Sequence, residues 1–507
     1  SSSATDLLLT PELSICGYPP EDLILYRNFL QGCENAAADL AAQAGRERPD
    51  LHLMFGLPVM RAGNVFNSLR IVRSGQIVAQ ADKIILPNYG VFDEARYFTP
   101  GNRPQVTSLG KTRVGICVCQ DAWDERYLRM LAGEQIDLLI VANASPFYVG
   151  KQQERERITA AAAARLDCEV VYVNYAGAQD EYIYDGGSHY QGKGGLVMRL
   201  GSEPQLADVA APPPLAELDE DIVSVRRALV AGLRSYVGGR LPVLIGISGG
   251  IDSAVVACVA VEAFGADGVL GVLMPSRHTA QVSLDGARSL AANLGIKLHE
   301  IAIDSLVEAF NAPLAQALGC PLASVAGENL QARIRAVLLM ALANHHGSML
   351  LATGNKSEMA VGFTTIYGDM AGAFAPLKDV SKTRVYQLAH LYNRARQQVP
   401  ECIIERAPSA ELRPDQLDED TLPPYDQIDA LITKIVEDLA GPERISDVPQ
   451  QALADFSARL KASEFKRQQA PVGPTITRRA FGKDWRMPIS NAFPFISDER
   501  SCRDRHN

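Results

Sequence analysis

Three polar residues of types that support thiol chemistry lie at the ends of apolar runs in the first half of the chain. Glu12 ends the run LLLTPE, Lys83 follows IVAQAD, and Cys119 ends VGICVC. A thiol nucleophile needs a base to take its proton and a positive donor to stabilise the oxyanion that it creates. A carboxylate whose pKa is raised at a desolvated strand end can serve as that base. Glutamate, lysine and cysteine can therefore support thiol attack on a carbonyl group, and no histidine is needed.

A structural interpretation exists for each of these residues. Taken alone, Cys119 could be a buried apolar thiol, and Lys83 could be a solvated charge. Cys117, two positions before Cys119, is interpreted as a core residue, because a free cysteine packs as a small hydrophobic group.

The segments around the three residues resemble the nitrilase/amidase superfamily. These segments are PELSICGYPPEDL at 11–23, DKIILPNYGVFDEARYF at 82–98, NASPF at 143–147 and YDGGS at 184–188, and the segment QDAW at 120–123 follows Cys119 directly. The resemblance covers nearly all of residues 7–200. It implies an αββα sandwich in which Glu12, Lys83 and Cys119 are catalytic.

The same resemblance implies a glutamine pocket lined by Tyr89, Ser145 and Lys151. Gln120 departs from the family pattern, in which an acidic residue follows the nucleophile and meets the ammonium group of the substrate. A neutral amide oxygen still accepts a hydrogen bond there, though more weakly than a carboxylate. Relatives carry a strand and a helix before the PEL segment, so we expect these to precede the present start.

A second chemical motif, Ser248-Gly-Gly-Ile-Asp-Ser253, follows an apolar run and opens a helical stretch. Two glycines allow close backbone approach, the serine hydroxyls donate, and a helix N-terminus attracts anions, so the motif suits a polyphosphate. Asp252 would repel phosphates unless a cation is present, and is interpreted as a magnesium ligand. The alternative is a plain glycine-rich turn. The predicted ATP loop comprises Gly246, Ile247, Ser248, Gly249, Gly250, Ile251, Asp252 and Ser253.

This loop resembles that of the ATP-pyrophosphatase group, whose members cleave ATP between its α and β phosphates to adenylate a substrate. Alone it indicates the reaction type and leaves the substrate open. Further segments resemble the NAD synthetase family, namely ENLQAR at 328–333, TGNKSE at 353–358, FTTIYGD at 363–369, PSAEL at 408–412 and EFKR at 464–467. Their order along about 220 residues makes a chance match a poor explanation.

The second resemblance implies that Thr353 contacts ATP and that Glu358 joins Asp252 in holding Mg²⁺. The implied deamido-NAD contacts are Asn329, Glu358, Phe363, Thr364, Thr365, Ile366 and Lys466. Phe363 replaces the tyrosine or tryptophan that the family pattern has there, a change that keeps ring stacking and loses any hydroxyl contact.

Four of the residues in these segments also have structural interpretations. Asn329 could cap its helix, Asn355 and Lys356 could form a strand-end turn, and Lys466 could be a solvated charge.

Composition limits the class of protein. A chain of 507 residues is too long for one hydrophobic core and fits two or three domains. The net charge of -10 argues against a nucleic-acid partner, which needs a basic surface. Nine scattered cysteines, an odd number, indicate reduced thiols and a cytoplasmic protein. The most apolar stretch, 254–274, is interrupted by Glu262 and Asp267, so no membrane span is predicted.

Apolar runs alternate with helical patterns in both halves, which predicts an α/β protein. Strands are predicted at 7–12, 51–59, 112–119, 137–145, 169–177, 243–248, 268–275, 298–304 and 348–355, a hairpin around Ser74-Gly75, and helices at 21–44, 154–166 and 328–346. The acidic, proline-rich stretch at 210–222 is interpreted as a linker. We therefore predict a nitrilase-like amidase domain at 1–209. A doubly wound parallel-sheet domain, Rossmann-like and of the ATP-pyrophosphatase type, is predicted at 223–507.

The fusion of the two halves indicates the function. One half would release ammonia from glutamine, and the other would use ATP to adenylate deamido-NAD, which ammonia converts to NAD with release of AMP and pyrophosphate. This is a ligase reaction that forms a C–N bond, and by resemblance the protein forms a homo-oligomer. Two alternative functions remain open. The first is an amidotransferase of the same ATP-cleaving group that acts on another acid. The second is a non-catalytic nucleotide-binding module with a degenerate amidase domain.

Overall fold

The computed structural model of the protein describes residues 6–239, 242–441, 444–446 and 448–491. The chain forms two compact units, and the division between them falls between Leu218 and Asp219, within the stretch interpreted as a linker. Residues Asp180–Tyr182 group with the second unit, although the sequence-based division includes them in the first domain.

The first unit contains two principal β-sheets. Its strands are β1 Leu7–Leu9, β2 His52–Arg61, β3 Asn64–Arg73, β4 Gln76–Asp82, β5 Gln105–Leu109, β6 Thr112–Val118, β7 Leu138–Ala142, β8 Glu169–Val173, β9 Ala176–Gln179, β10 Tyr182–Asp185, β11 His189–Gly192 and β12 Gly195–Arg199. One sheet has the order β1-β2-β3-β4, and the other has the order β12-β11-β8-β7-β6-β5. Strands β6, β7 and β8 run parallel, so their carboxyl ends lie at one edge.

Helices cover both sheets of this unit. They are α1 Arg27–Glu47, α2 Glu125–Leu131 and α3 Lys151–Leu166, with 3-10 turns at Glu21–Leu25, Glu94–Arg96 and Cys119–Trp123. Met54 and Ile71 of the first sheet share a buried cluster with Ile116 of the second, so the sheets pack face to face. On the outer side of the first sheet, Ala37 and Ala41 of α1 pack against strand residues. The predicted αββα sandwich is confirmed.

Local signals in the sequence explain several boundaries. The hairpin around Ser74-Gly75 is confirmed, and both turn residues have positive φ (49° and 76°), as a two-residue hairpin turn of type I′ requires. The helix predicted from Glu21 begins instead as a 3-10 turn, because Tyr26 is extended (φ −94°, ψ 119°) and interrupts it before α1.

The second unit is built on a parallel sheet. Its strands are β13 Val243–Gly246, β14 Val269–Leu273, β15 Lys297–Glu300 and β16 Met349–Leu351, in the order β15-β14-β13-β16. The helices of this unit are α4 Asp221–Val237, α5 Ile251–Phe264, α6 Gln281–Leu294, α7 Asp304–Leu318, α8 Ser324–His346, α9 Lys356–Val361, α10 Lys382–Asn393, α11 Glu401–Ile404, α12 Tyr425–Leu431, α13 Gln450–Ala462 and α14 Glu464–Arg467. Every strand pair in this sheet is parallel, which confirms the predicted parallel-sheet domain.

Strands β13, β14 and β16 are short and almost wholly apolar, as is usual when helices cover both faces, whereas the edge strand β15 is polar. Helix α5 is apolar around its whole circumference, and most of its residues are buried. The strand predicted at 298–304 ends at Glu300 because Asp304 already begins α7. Over the described residues, none of the helices combines the length and apolar character that a membrane crossing requires.

Candidate active sites of the two units

Glu12 and Lys83 meet in the interior of the first unit. The Lys83 ammonium lies 2.8 Å from Glu12 Oε1, and both side chains are fully buried. Glu12 also accepts hydrogen bonds from Asn67 Nδ2 (2.7 Å) and from the backbone N–H of Ala144 (3.0 Å). A carboxylate held by three donors has a fixed orientation, which a general base requires.

Glu94 belongs to this cluster, although the sequence analysis did not identify it. Its Oε1 lies 2.7 Å from the Lys83 ammonium and accepts a hydrogen bond from the Tyr18 hydroxyl (2.6 Å). Burial opposes the charge on Lys83, but Glu12 and Glu94 hold its pKa well above the ordinary value. Lys83 therefore stays charged and can stabilise an oxyanion. The available signal was an acidic residue eleven positions after Lys83, within the segment 82–98 that resembles the nitrilase/amidase superfamily.

Cys119 lies directly after β6 and begins the 3-10 turn. Its φ of 47° is unusual for a residue with a side chain and marks a sharp, strained change of direction at the strand end. Burial raises the pKa of the thiol, and the charge of Glu12 adds to the effect while Lys83 opposes it. The raised pKa favours the protonated thiol, which would have to lose its proton before Cys119 could act as a nucleophile.

Asp121 links the backbone next to Cys119 with the backbone next to Lys83. Its buried carboxylate accepts hydrogen bonds from the N–H groups of Ile84 (3.1 Å) and Ile85 (2.8 Å), directly after Lys83. It also accepts from the N–H of Val118 (3.2 Å), directly before Cys119. Burial raises the pKa of Asp121 to about 7. The sequence contained this residue in the QDAW segment, but its role depends on contacts between segments.

The three predicted glutamine-pocket residues have different environments. The Tyr89 hydroxyl donates to Gln120 Oε1 (2.8 Å), and Tyr89 is exposed. Ser145 is buried, and its Oγ accepts from Arg155 Nε (3.2 Å). Burial lowers the pKa of Lys151 to about 8, and its ammonium lies 3.9 Å from the centre of the Trp123 ring, four positions after Cys119.

We predict that Glu94→Gln lowers the glutaminase kcat while leaving the KM for glutamine nearly unchanged. The substitution leaves Lys83 with one charged partner, so its position and its charge are both weakened, and the expected loss is about 10²-fold. Glutamate release at saturating glutamine measures it. Asp93→Asn, one position earlier, is the matched control, and an equal loss in both variants would contradict the assignment.

In the second unit, the loop at 248–253 connects β13 to α5 at the carboxyl edge of the parallel sheet. Ser248 Oγ accepts from the N–H of Gly250 (3.1 Å), and Ser253 Oγ donates to the carbonyl of Gly250 (2.9 Å). Gly249 has a φ of 84°, and a Cβ there would lie 2.3 Å from the carbonyl oxygen of Ser283. Only glycine fits this position, and the loop exposes backbone N–H groups at a helix N-terminus, where phosphates bind.

Asp252 and Glu358, the predicted magnesium ligands, converge on one cation. The ammonium of Lys382 contacts Asp252 Oδ2 and lies 3.2 Å from Glu358 Oε1. Asn355 Nδ2 also donates to Asp252 Oδ1 (2.8 Å). Burial raises the pKa of Glu358 to about 8, with smaller contributions from the charges of Asp252 and Asp418. Sequence analysis did not identify Lys382, which lies 130 positions from Asp252.

These residues fit Mg²⁺ bound together with a triphosphate. Across the described residues there is no group of three or more His, Cys, Asp or Glu side chains that could hold a metal ion alone. Two carboxylates facing the same point supply hard oxygen ligands, and Mg²⁺ commonly takes one or two carboxylates and completes its shell with water and substrate phosphates. Lys382 now occupies that point.

The segment around Thr353 and Asn355 follows β16 and begins α9. Asn355 Oδ1 accepts from the N–H of Glu358 (3.0 Å), so Asn355 caps this helix and also orients Asp252. Lys356 is fully buried, with its ammonium 2.8 Å from Asp379 and 2.7 Å from Glu437. The strand-end-turn interpretation is therefore wrong for Lys356. This residue begins α9, and its buried ammonium group forms ion pairs inside the unit.

The predicted deamido-NAD residues at 363–366 form a loop that α8 and α14 hold in place. Asn329 Oδ1 accepts from Thr365 Oγ1 (2.7 Å). The Lys466 ammonium donates to the carbonyls of Gly362 (2.7 Å) and Thr364 (2.6 Å). Both structural alternatives are wrong, since Asn329 lies inside α8 rather than at its cap, and Lys466 is bonded rather than solvated.

Two further side chains of this loop differ in their surroundings. Phe363 is partly buried and packs against a hydrophobic cluster. Thr364 Oγ1 is buried and, among the described residues, has no hydrogen-bond partner. The carbonyl of Ile366 accepts from Arg333 Nε (3.2 Å). The predicted residues are thus brought together, and Thr364 retains hydrogen-bonding capacity.

We predict that Lys466→Ala weakens deamido-NAD binding about tenfold or more, because the loop loses its bonds to a charged donor, and a single such bond is worth about 1.5–3 kcal/mol. The loop loses its anchor, whereas the ATP loop is untouched. Titration of deamido-NAD by calorimetry measures the change, with Lys461→Ala as the control for loss of a nearby lysine. Unchanged affinity would show that the loop does not bind this ligand.

Two family models match the chain. The NAD synthase model matches residues 225–470, and the carbon-nitrogen hydrolase model matches residues 1–205. A glutamine-dependent NAD(+) synthetase from Aquifex aeolicus is 38% identical over 538 residues, which cover 97% of this chain and 94% of that protein. One from Thermotoga maritima is 37% identical over 544 residues, covering 96% and 93%.

Solved structures agree with these matches. The structure of a glutamine-dependent NAD+ synthetase from Acinetobacter baumannii, in complex with adenosine diphosphate, is 35% identical and superposes with a TM-score of 0.76, covering 96% of this chain and 92% of that chain. A glutamine-dependent NAD(+) synthetase from Cytophaga hutchinsonii superposes with a TM-score of 0.83 at the same coverage, and at 21% identity it is evidence for the fold alone.

Proposed function

Since the chain belongs to the family of glutamine-dependent NAD(+) synthetases, we propose that it joins nitrogen from glutamine to the nicotinate carboxylate of deamido-NAD. The reaction is that of a ligase with glutamine as amido donor, and ATP is cleaved to AMP and pyrophosphate. One observation carries the proposal. The same chain contains a buried Glu12–Lys83 pair beside Cys119 and a phosphate loop whose Asp252 shares a cation with Glu358.

In the first unit, Cys119 attacks the side-chain amide carbon of glutamine. Glu12 takes the thiol proton and passes it to the leaving nitrogen, and Lys83 stabilises the oxyanion. Ammonia leaves, and water activated by Glu12 then hydrolyses the thioester to glutamate. Burial of Glu12 and Lys83 supports this assignment, because fixed charges act more strongly away from water.

Tyr89, Ser145 and Lys151 are proposed to hold the glutamine. Lys151 carries a positive charge near the nucleophile and suits the α-carboxylate of the substrate. The amide oxygen of Gln120, which now accepts from Tyr89, suits the α-ammonium group.

In the second unit, the deamido-NAD carboxylate attacks the α-phosphorus of ATP and pyrophosphate leaves. Ammonia then attacks the acyl carbon, and AMP leaves with the C–O bond electrons. The loop residues 246–253 and Thr353 are proposed to bind the triphosphate, and Lys382 is placed to neutralise it. Asp252 and Glu358 would hold Mg²⁺, which neutralises phosphate charge when bound. Asn329, residues 363–366 and Lys466 are proposed to position deamido-NAD.

We also propose that a second copy of the chain covers the outer face of α7. Within this fully described helix no residue is buried, and Phe310, Leu314 and Leu318 form an exposed apolar stripe at a spacing of four residues. Such a face suits an isologous contact in a homo-oligomer. A Leu314→Glu variant that stays associated in sedimentation experiments would argue against this contact.

A cytoplasmic location is proposed on the chemistry of the cysteines. All eight cysteines in the described part of the chain are free, and free thiols are typical of a reducing compartment.

The function is tested by incubating the protein with ATP, Mg²⁺, glutamine and deamido-NAD. We expect NAD, AMP, pyrophosphate and glutamate in equal amounts. ADP with phosphate would exclude this class of reaction. Pyrophosphate release that requires a different acid would favour another amidotransferase of the same group, and absence of glutamate release would favour a degenerate amidase domain.

A further inference from the structure

Helix α10, which begins with Lys382, is capped by side chains from outside the helix. The first N–H groups of an α-helix have no partner within it. The N-cap residue Ser381 makes no side-chain capping bond to these groups. Instead, the N–H of Lys382 donates to Ser357 Oγ (2.8 Å), and the N–H of Thr383 donates to Asp429 Oδ2 (2.9 Å). The capping groups therefore come from α9 and α12.

The two capping side chains are bonded to each other. Ser357 Oγ donates to Asp429 Oδ1, and the Thr383 hydroxyl donates to Asp429 Oδ2 (2.7 Å). Ser357, Lys382 and Asp429 are all buried, so water competes little for these bonds. Three helices thus meet at one carboxylate.

The same cap lies beside the groups that face the triphosphate site. Ser357 immediately precedes Glu358, and the ammonium of Lys382 contacts both Glu358 and Asp252. A shift of Asp429 would therefore move the backbone at Ser357 and Lys382. The side chains of Glu358 and Lys382, two of the three charged groups, would move with it. Asp252 lies on α5 and is linked to this cap through its contacts with Lys382 and Asn355.

A carboxylate suits this position better than its amide. Asp429 accepts from Ser357 Oγ, from the Thr383 N–H and from the Thr383 hydroxyl, using both oxygens. Asparagine has one acceptor oxygen, and its NH₂ group would face a donor. A negative charge at the N-terminus of α10 is also favourable, because the helix dipole is positive there.

We propose that Asp429, acting through Ser357 and the first turn of α10, is a positioning residue that holds Lys382 and Glu358 in the arrangement that binds Mg·ATP. This inference rests on the proposed function of the second unit. Asp429 itself makes no contact with substrate in this proposal. Ser357, the serine of the TGNKSE segment, has a capping role that the sequence pattern did not reveal.

The test is Asp429→Asn in the full chain, with ammonia as the nitrogen source and AMP formation as the measurement. We expect the KM for Mg·ATP to rise about tenfold or more, while the KM for deamido-NAD and glutamate release by the first unit stay within about twofold. An equal change in both KM values, or no change in either, overturns the proposal. Asp426→Asn is the matched control, since Asp426 lies on the same helix and, in the described part of the chain, is hydrogen-bonded to the N–H of its neighbour Gln427.

A second variant keeps the proposal testable if Asp429→Asn is poorly folded. Ser357→Ala removes the other half of the cap, and we expect the same selective rise in the KM for Mg·ATP. In the double variant the effect should be no larger than in the more affected single variant, because both act through one bonded unit. Multiplying effects would overturn the proposal. If the wild-type protein forms no AMP from ATP and deamido-NAD, the proposed function fails, independently of these variants.

Discussion

Cys119→Ala is expected to abolish glutamine-dependent NAD formation, by about 10³-fold or more, and to leave ammonia-dependent formation intact. The substitution removes the nucleophile and little volume, so the Glu12–Lys83 pair and the second unit should persist. The synthetase would lack only a nitrogen source. Ammonium chloride at alkaline pH should restore NAD formation, because more of the ammonia is then neutral and nucleophilic. NAD measured with each nitrogen source gives the result.

Cys117→Ala is the matched control for this experiment. Cys117 is fully buried in a cluster with Leu139, Val141 and Tyr172 and does not face the Glu12–Lys83 pair. Its variant should keep glutamine use, with some loss of stability from the cavity. If Cys119→Ala used glutamine and Cys117→Ala did not, the nucleophile would have been assigned to the wrong cysteine.

Asp252→Asn is expected to stop NAD synthesis from both glutamine and ammonia. The variant keeps the size of the side chain but removes one of the two carboxylates that face Lys382 and the proposed Mg²⁺ position. Losing a charged metal ligand beside the transferring phosphoryl group should lower the rate of AMP formation about 10²–10³-fold. AMP formation measured over a range of Mg²⁺ concentrations should show that added metal restores little of it.

Glutamate release separates this prediction from a general loss of structure. The Asp252→Asn protein should still hydrolyse glutamine at a basal level, because Cys119 and its partners belong to the other unit. Asp267→Asn, an exposed position after α5, should leave both activities unchanged. Equal loss of glutaminase and synthetase activity in a folded Asp252→Asn protein would argue against separate sites.

The sequence revealed residues whose chemistry is marked by a local pattern. Cys119 ends an apolar run, and Ser248 to Ser253 combine glycines and hydroxyls between a strand and a helix, so both could be found without a structure. Lys382 carries no such mark, because its carboxylate partners lie in other segments, and Glu94 is marked only by lying in the same segment as Lys83. The Lys382–Asp252 contact joins positions 130 residues apart.

The structural alternatives that the fold rules out have the same origin. Lys356 and Lys466 stand in hydrophilic segments, and only the surrounding helices show that their ammonium groups are bonded to buried or backbone acceptors. Asn329 was a candidate cap because the helical pattern becomes clear only near Glu328. The helix in fact begins at Ser324 and runs through Gly327, since tertiary packing tolerates a glycine that propensity alone disfavours.

The charge balance around Cys119 has a consequence for the survival of the protein under oxidative stress. Burial and the charges of Glu12 and Glu94 raise the pKa of the thiol, and the ammonium of Lys83 opposes them only in part. Peroxides and alkylating agents react with thiolates far faster than with thiols. On the proposed assignment, Cys119 at rest is a thiol, a form that resists sulfenic acid formation, and we expect it to become reactive when an amide substrate binds.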